Sequence, residues 1–177
     1  MLVLAMALAA TPAAVGQANG GISQLVQRPE RALNMAKDQL VSLASEQGGT
    51  LDCKRVERAE VPTHGVETCW LNDGERADAR FLLATKQGEA RVIAASVTFK
   101  ASLQQNYATQ LAKRFGQPLR VTDNRWGHST TWLQAGRQVS FRTACTVDNP
   151  CLEVSADTYA RRVARSTGLF VLAVPGT

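Results

Sequence analysis

Acid–base or nucleophilic chemistry in this chain would have to pass through two histidines, His64 and His128, because a hydroxyl or thiol is a weak nucleophile without an adjacent base. His128 precedes Ser129, but neighbours on a strand point to opposite faces, which works against a direct hydrogen bond between them. His64 sits between Val61-Pro62-Thr63 and Gly65, a loop composition that suits a surface histidine. The G-x-S-x-G elbow, H-E-x-x-H, the phosphate loop and the dinucleotide fingerprint are all missing from the sequence. Any two of fifteen acidic residues could converge as a glycosidase pair, but no spacing singles one out. These residues nominate no catalytic site, no metal site and no cofactor, and they favour a non-catalytic protein over an enzyme.

The four cysteines, Cys53, Cys69, Cys145 and Cys151, allow three pairings. The local one, Cys53 with Cys69 and Cys145 with Cys151, demands the least chain rearrangement. Asp148-Asn149-Pro150 is a turn sequence that would lay the flanking strands side by side. Zinc ligands normally come in pairs two to four residues apart, and no C-x-x-C or H-x-x-x-H occurs. Free buried thiols are the alternative if the chain stays in a reducing compartment.

A recognition surface has better candidates than an active site. Arg125, Trp126, Trp132 and Arg137 lie close together in sequence, and an aromatic beside an arginine is the composition of binding hot spots. On a regular strand Trp126 and Trp132 would share a face, where packing under a helix is the commoner fate of such a pair. Charge is asymmetric as well. Residues 1–100 carry eleven basic against eleven acidic residues, whereas residues 101–177 carry nine against four, so the whole +5 falls in the second half. Eight of those nine are arginines, whose planar donor forks suit carboxylate and phosphate. No block of five basic residues and no nucleic-acid-binding module occurs, so a protein or an anionic envelope component is the expected partner and nucleic acid is not.

The chain's start supplies an address. Residues 2–10 are apolar, small residues follow through Ala14, Gly16 and Ala18, and no charge precedes Arg28. An apolar segment of that length fits a secretory leader and is too short to span a bilayer, although the basic flank usual in leaders is missing. Residues 1–18 are therefore read as a signal peptide cleaved after Gly16 or Ala18, residues 19–28 as a flexible linker, and residues 29–177 as a single α+β domain. The mature chain would carry no transmembrane segment and would reside in the periplasm or outside the cell.

The elements that must position these residues alternate between helix and strand periodicity. Leu33, Ala36, Leu40, Leu43 and Ala44 recur at helical spacing over residues 29–47, with Pro29 at the start and Gly48-Gly49 at the end. Strands are expected over residues 50–56, 66–71, 77–85 and 90–100, the last with Ile93, Ala95, Val97 and Phe99 on one face. Ser102, the stripe Leu103, Tyr107, Ala108, Leu111, Ala112 and Phe115, and Gly116 with Pro118 define a second helix. Further strands are expected over residues 119–123, 129–134, 139–145 and 151–158. The apolar run at residues 169–174 fits a last strand, a docked segment or an exposed interaction strand.

The resulting fold class is α+β, with two amphipathic helices packed on a mainly antiparallel sheet and a suggestion of two helix-plus-strands halves whose helices start about 73 residues apart. In element order this is similar to small bacterial envelope modules, including the tandem helix-sheet arrangement of secreted β-lactamase inhibitor proteins. No motif of those proteins maps onto particular residues here, so no site is carried over. The expected function is that of an exported, disulfide-stabilised binding protein of the cell envelope. The alternatives are an inhibitor or immunity-type protein of a secreted hydrolase, and a hydrolase whose cleft would hold His128 or two close carboxylates.

Overall fold

A computed structural model describes residues 24–57, 65–72, 77–100, 104–124, 127–146 and 149–170. The expected leader, His64, Arg125, Trp126 and the end of the apolar tail lie outside the described residues. In chain order the elements are α1 (Gln24–Gln27), a 3-10 turn (Pro29–Ala32), α2 (Lys37–Glu46), β1 (Leu51–Arg55), β2 (Val66–Asn72), β3 (Ala77–Lys86) and β4 (Glu89–Phe99). They continue with α3 (Gln104–Phe115), β5 (Arg120–Asn124), β6 (Gly127–Gln134), β7 (Arg137–Thr146), β8 (Asn149–Ser155) and α4 (Thr158–Ser166). The fold is α+β, as the periodicities predict.

The strands form one sheet of eight in the order β1-β2-β3-β4-β8-β7-β6-β5, antiparallel at every pairing. Each half of the chain builds a four-stranded meander from strands adjacent in sequence, and the meanders join where β4 meets β8, from Ala94 opposite Ser155 to Thr98 opposite Cys151. Two-residue turns with positive φ close the inner hairpins, at Gln87-Gly88 and Ala135-Gly136, as the right-handed strand twist favours. Cys53 faces Cys69 across the β1–β2 ladder, and the cysteines pair locally, Cys53 with Cys69 and Cys145 with Cys151.

Residues opposed across a ladder share a face of the sheet, and the two faces carry separate clusters. On the first, Phe81, Val97, Val139, Phe141, Leu152 and Val154 pack with Leu25 and Val26 of α1, Leu40 and Ala44 of α2, and Tyr107, Leu111 and Phe115 of α3. On the second, Val66, Leu82 and Ala94 pack with Val163 and Ala164 of α4 and with Leu169 and Phe170 beyond it. Leu169 and Phe170 thus begin the apolar run as a docked segment.

Three features differ from the sequence reading. The helix expected over residues 29–47 is interrupted. Asn34 takes φ of 68°, the Asn34 N–H donates to the Val92 carbonyl, and the Val92 N–H donates to the Met35 carbonyl. This short rung of sheet takes up backbone groups that a continuous helix would use itself, so tertiary pairing overrides the helical spacing. Residues 24–27, expected to be linker, form a helical turn that buries Leu25 and Val26. The tail contributes α4, whose cap is the Asp157 carboxylate accepting from the Ala160 N–H at 2.7 Å. Among the described residues no helix is long and apolar enough to cross a membrane.

Candidate functional site

The register of β5, β6 and β7 decides which side chains meet beneath α3. Val121, Thr130 and Phe141 oppose one another in one cross-strand row, Trp132 faces Val139 in the next, and Asp123 faces His128. Small residues on α3, Ala108 and Ala112, stand four apart on one helical face and leave space where longer side chains would close the gap. The result is a cavity of about 510 Å³, lined by those two alanines, Pro118, Val121 and the strand residues His128, Thr130, Trp132, Phe141 and Thr143. Trp132 is fixed in its wall. Its indole N–H donates to the Gly116 carbonyl at 3.0 Å, and its ring lies 5.8 Å from that of Phe115.

His128 is held from two sides. Its backbone N–H donates to Thr143 Oγ1 at 2.8 Å, and its Nδ1 lies 2.5 Å from Asp123 Oδ1. A carboxylate can only accept, so Nδ1 carries the proton and donates, leaving Nε2 as the acceptor of the neutral ring. The neighbouring Gly127 makes this possible. Its φ is 132°, and a Cβ there would lie 2.6 Å from the same Thr143 hydroxyl. Cleavage chemistry would require a nucleophile or polarised water beside the histidine and donors aimed at a developing oxyanion. The lining offers aliphatic and aromatic groups with two threonines, one of them already bonded to the His128 backbone. Such a lining is suited to holding a largely apolar molecule.

The other sheet face carries a second candidate. Asp52, Trp70, Arg80 and Ser96 oppose in succession across the first meander, and Glu153, Ser140, Thr131 and Arg120 continue the same row across the second. The row is exposed at Asp52, Arg80 and Arg120 and buried at Ser96, Glu153 and Ser140. Arg142 lies 3.1 Å from the Glu153 carboxylate, so the acid is buried with a counter-charge. Leu133 of β6, 53% exposed, lies on this face beside Thr131.

Of the candidate binding residues Arg125, Trp126, Trp132 and Arg137, the structure describes Trp132 and Arg137. Trp132 is only 3% exposed and serves as cavity wall, and Arg137 is exposed where β7 begins. The described arginines of the second half do not gather in one patch. Arg114 bonds Glu30 and the Gln27 carbonyl on the helix-covered side, whereas Arg142 pairs on the opposite face. Arg161, Arg162 and Arg165 sit on α4, where burial, and then Arg165, lower the pKa of Arg161. Ligand atoms of Cys145, Cys151 and Glu153 lie within 4.8 Å of one another, but both sulfurs are committed to their disulfide, so they form no metal centre.

Ser129 adjoins His128 in the sequence, but the side-chain partner of the imidazole is Asp123. The usable signal was Asp123, five residues upstream across a short connection, a spacing that places the two opposite each other once β5 and β6 form a hairpin. No protein family, curated protein or solved structure matches this chain.

Proposed function

We propose that this protein is an exported, disulfide-stabilised binding protein of the cell envelope, periplasmic or secreted, which acts without catalysis by presenting the second-meander part of its polar sheet face to a partner. The observation that carries this reading is the division of that face. Val163 and Ala164 of α4 cluster with Val66, Leu82 and Ala94 of the first meander, while beyond the buried Ser140 the polar row opens at the half-buried Thr131 of β6 and the exposed Arg120 of β5. Both disulfides support the reading, because such bridges persist in oxidising compartments. Arg120 supplies a donor fork for a carboxylate and Leu133 an exposed apolar contact next to it. That combination suits a protein partner with acidic groups around an apolar residue.

The test combines localisation with capture. Mass spectrometry of the natural protein, before and after reduction, reads leader cleavage and both bridges. Crosslinking capture from envelope extract is then compared for the wild type, R120E/L133S and Lys113→Glu, the last on the outer side of α3. A partner held by the wild type and by Lys113→Glu but lost by the double variant supports the proposal. Equal recovery by all three, or a cytosolic protein with four titratable thiols, overturns it.

A further inference from the structure

We infer that the cavity beneath α3 binds a neutral hydroxylated small molecule with an aromatic or compact aliphatic body, which packs against Trp132 and Phe141 and donates its hydroxyl hydrogen to Nε2 of His128. This site lies on the opposite side of the sheet from the partner face and stands independently of it.

Size is the first argument. At about 510 Å³ the cavity falls within the range of ligand pockets, roughly 300–1,000 Å³, and it is far larger than the gaps left by imperfect packing. Its existence depends on Ala108 and Ala112 on the helix that otherwise buries Tyr107, Leu111 and Phe115 against the same sheet. The second argument is orientation: among its polar lining residues, His128 is held by two hydrogen bonds. Asp123 accepts a hydrogen bond from Nδ1–H and Thr143 Oγ1 accepts one from the backbone N–H, so the imidazole is fixed in tautomer and position before any ligand arrives. Preorganisation of this kind is what separates a binding group from a polar residue at a pocket rim. Nε2 is the nitrogen left over, and in the neutral ring it accepts.

Charge decides the ligand's head group. Among the described lining residues there is no lysine or arginine, and the Asp123 carboxylate stands next to His128. A carboxylate or phosphate head would enter without a counter-charge from the described lining and beside the like charge of Asp123, a repulsion that solvent reaching the half-exposed imidazole reduces but does not remove. A hydroxyl meets the acceptor without that penalty.

Three probes with one ring system separate the possibilities: naphthol, naphthalene and naphthoate, titrated at about pH 8 by calorimetry and by the indole N–H resonance of Trp132. Naphthol is expected to bind about fivefold more tightly than naphthalene, the effect of one hydrogen bond, with naphthoate weakest. In His128→Phe the naphthol advantage disappears while naphthalene still binds. Ala112→Phe and, as a second filling variant, Ala108→Leu abolish binding of all three probes in chains whose circular dichroism is unchanged. Equal affinity for naphthol and naphthalene in the wild type, preference for naphthoate, no binding by any probe, or undiminished binding in a folded filling variant would overturn the assignment.

Discussion

Replacing Tyr107 by phenylalanine removes one oxygen from the seam between α3 and α1, and its effect should depend on pH in a defined direction. Tyr107 is 7% exposed, its ring packs 4.4 Å from that of Phe99, and its hydroxyl donates to the Gln27 carbonyl at 3.0 Å. The ring remains in the variant, and the same carbonyl keeps a bond from Arg114 Nη1 at 3.2 Å. The cost near neutrality is therefore that of one hydrogen bond, about 1 kcal/mol. Burial raises the phenol's pKa far above its ordinary value, against the pull of Arg114 and with a smaller contribution from Glu30 in the same direction as burial. In the unfolded chain the phenol ionises near pH ~10. Above that pH the folded state binds the extra proton, so the stability present below the unfolded pKa is lost as pH rises toward the folded one. At pH ~10.5 the loss is about 0.8 kcal/mol for the wild type and nil for the variant. Parallel urea denaturations with both disulfides intact, followed by tryptophan fluorescence, should show the gap narrow from about 1 to about 0.2 kcal/mol between pH ~8 and ~10.5. Tyr159 and the other titrating groups are common to both chains. A gap that stays constant over this interval refutes the reasoning.

Other perturbations are expected to rank as follows. Replacing Cys53 and Cys69 by serine opens a link of sequence separation 16 and should cost about 3 kcal/mol, against about 2.2 for Cys145 and Cys151, whose separation is 6; the order of urea midpoints checks it. Leu111→Ala, under α3 in the main core, should lose about 2–5 kcal/mol, read as a fall in Tm. Gly136→Ala, at φ 81° in open space, should cost about 1–2 kcal/mol from backbone strain alone. Gly127→Ala should cost more, because its Cβ displaces the Thr143 hydroxyl, and the His128 amide resonance should move in that variant only.

What was legible in the sequence was whatever local spacing determines. Period-two alternation marked β4 and β8, the helical stripe through Tyr107, Leu111 and Phe115 marked α3, and chain economy marked the cysteine pairing. Illegible features were those decided by distant partners. The interruption at Asn34 depends on Val92, which no helical periodicity near residue 34 can reveal. The helix α4 did have local signals, Asp157 as cap, Ala160, Val163 and Ala164 at helical spacing, and Gly168 beyond the end, but the arginines between them and the apolar run after them obscured the pattern. The cavity was invisible because it consists of space. Ala108 and Ala112 read as part of an apolar stripe, and only the strands opposite show that their brevity leaves room.

The junction of the two meanders has a consequence for assembly. Both bridges and all strand pairings except β4 with β8 lie within one half of the chain, so contacts close in sequence can organise each meander before the β4–β8 ladder forms and α3 and α4 dock across the halves. Cleaving the polypeptide between β4 and α3 would leave two segments, each with its own covalent staple and a complementary unsatisfied strand edge. Mixed in solution, they should recombine into a nicked but native heterodimer, as a split protein does.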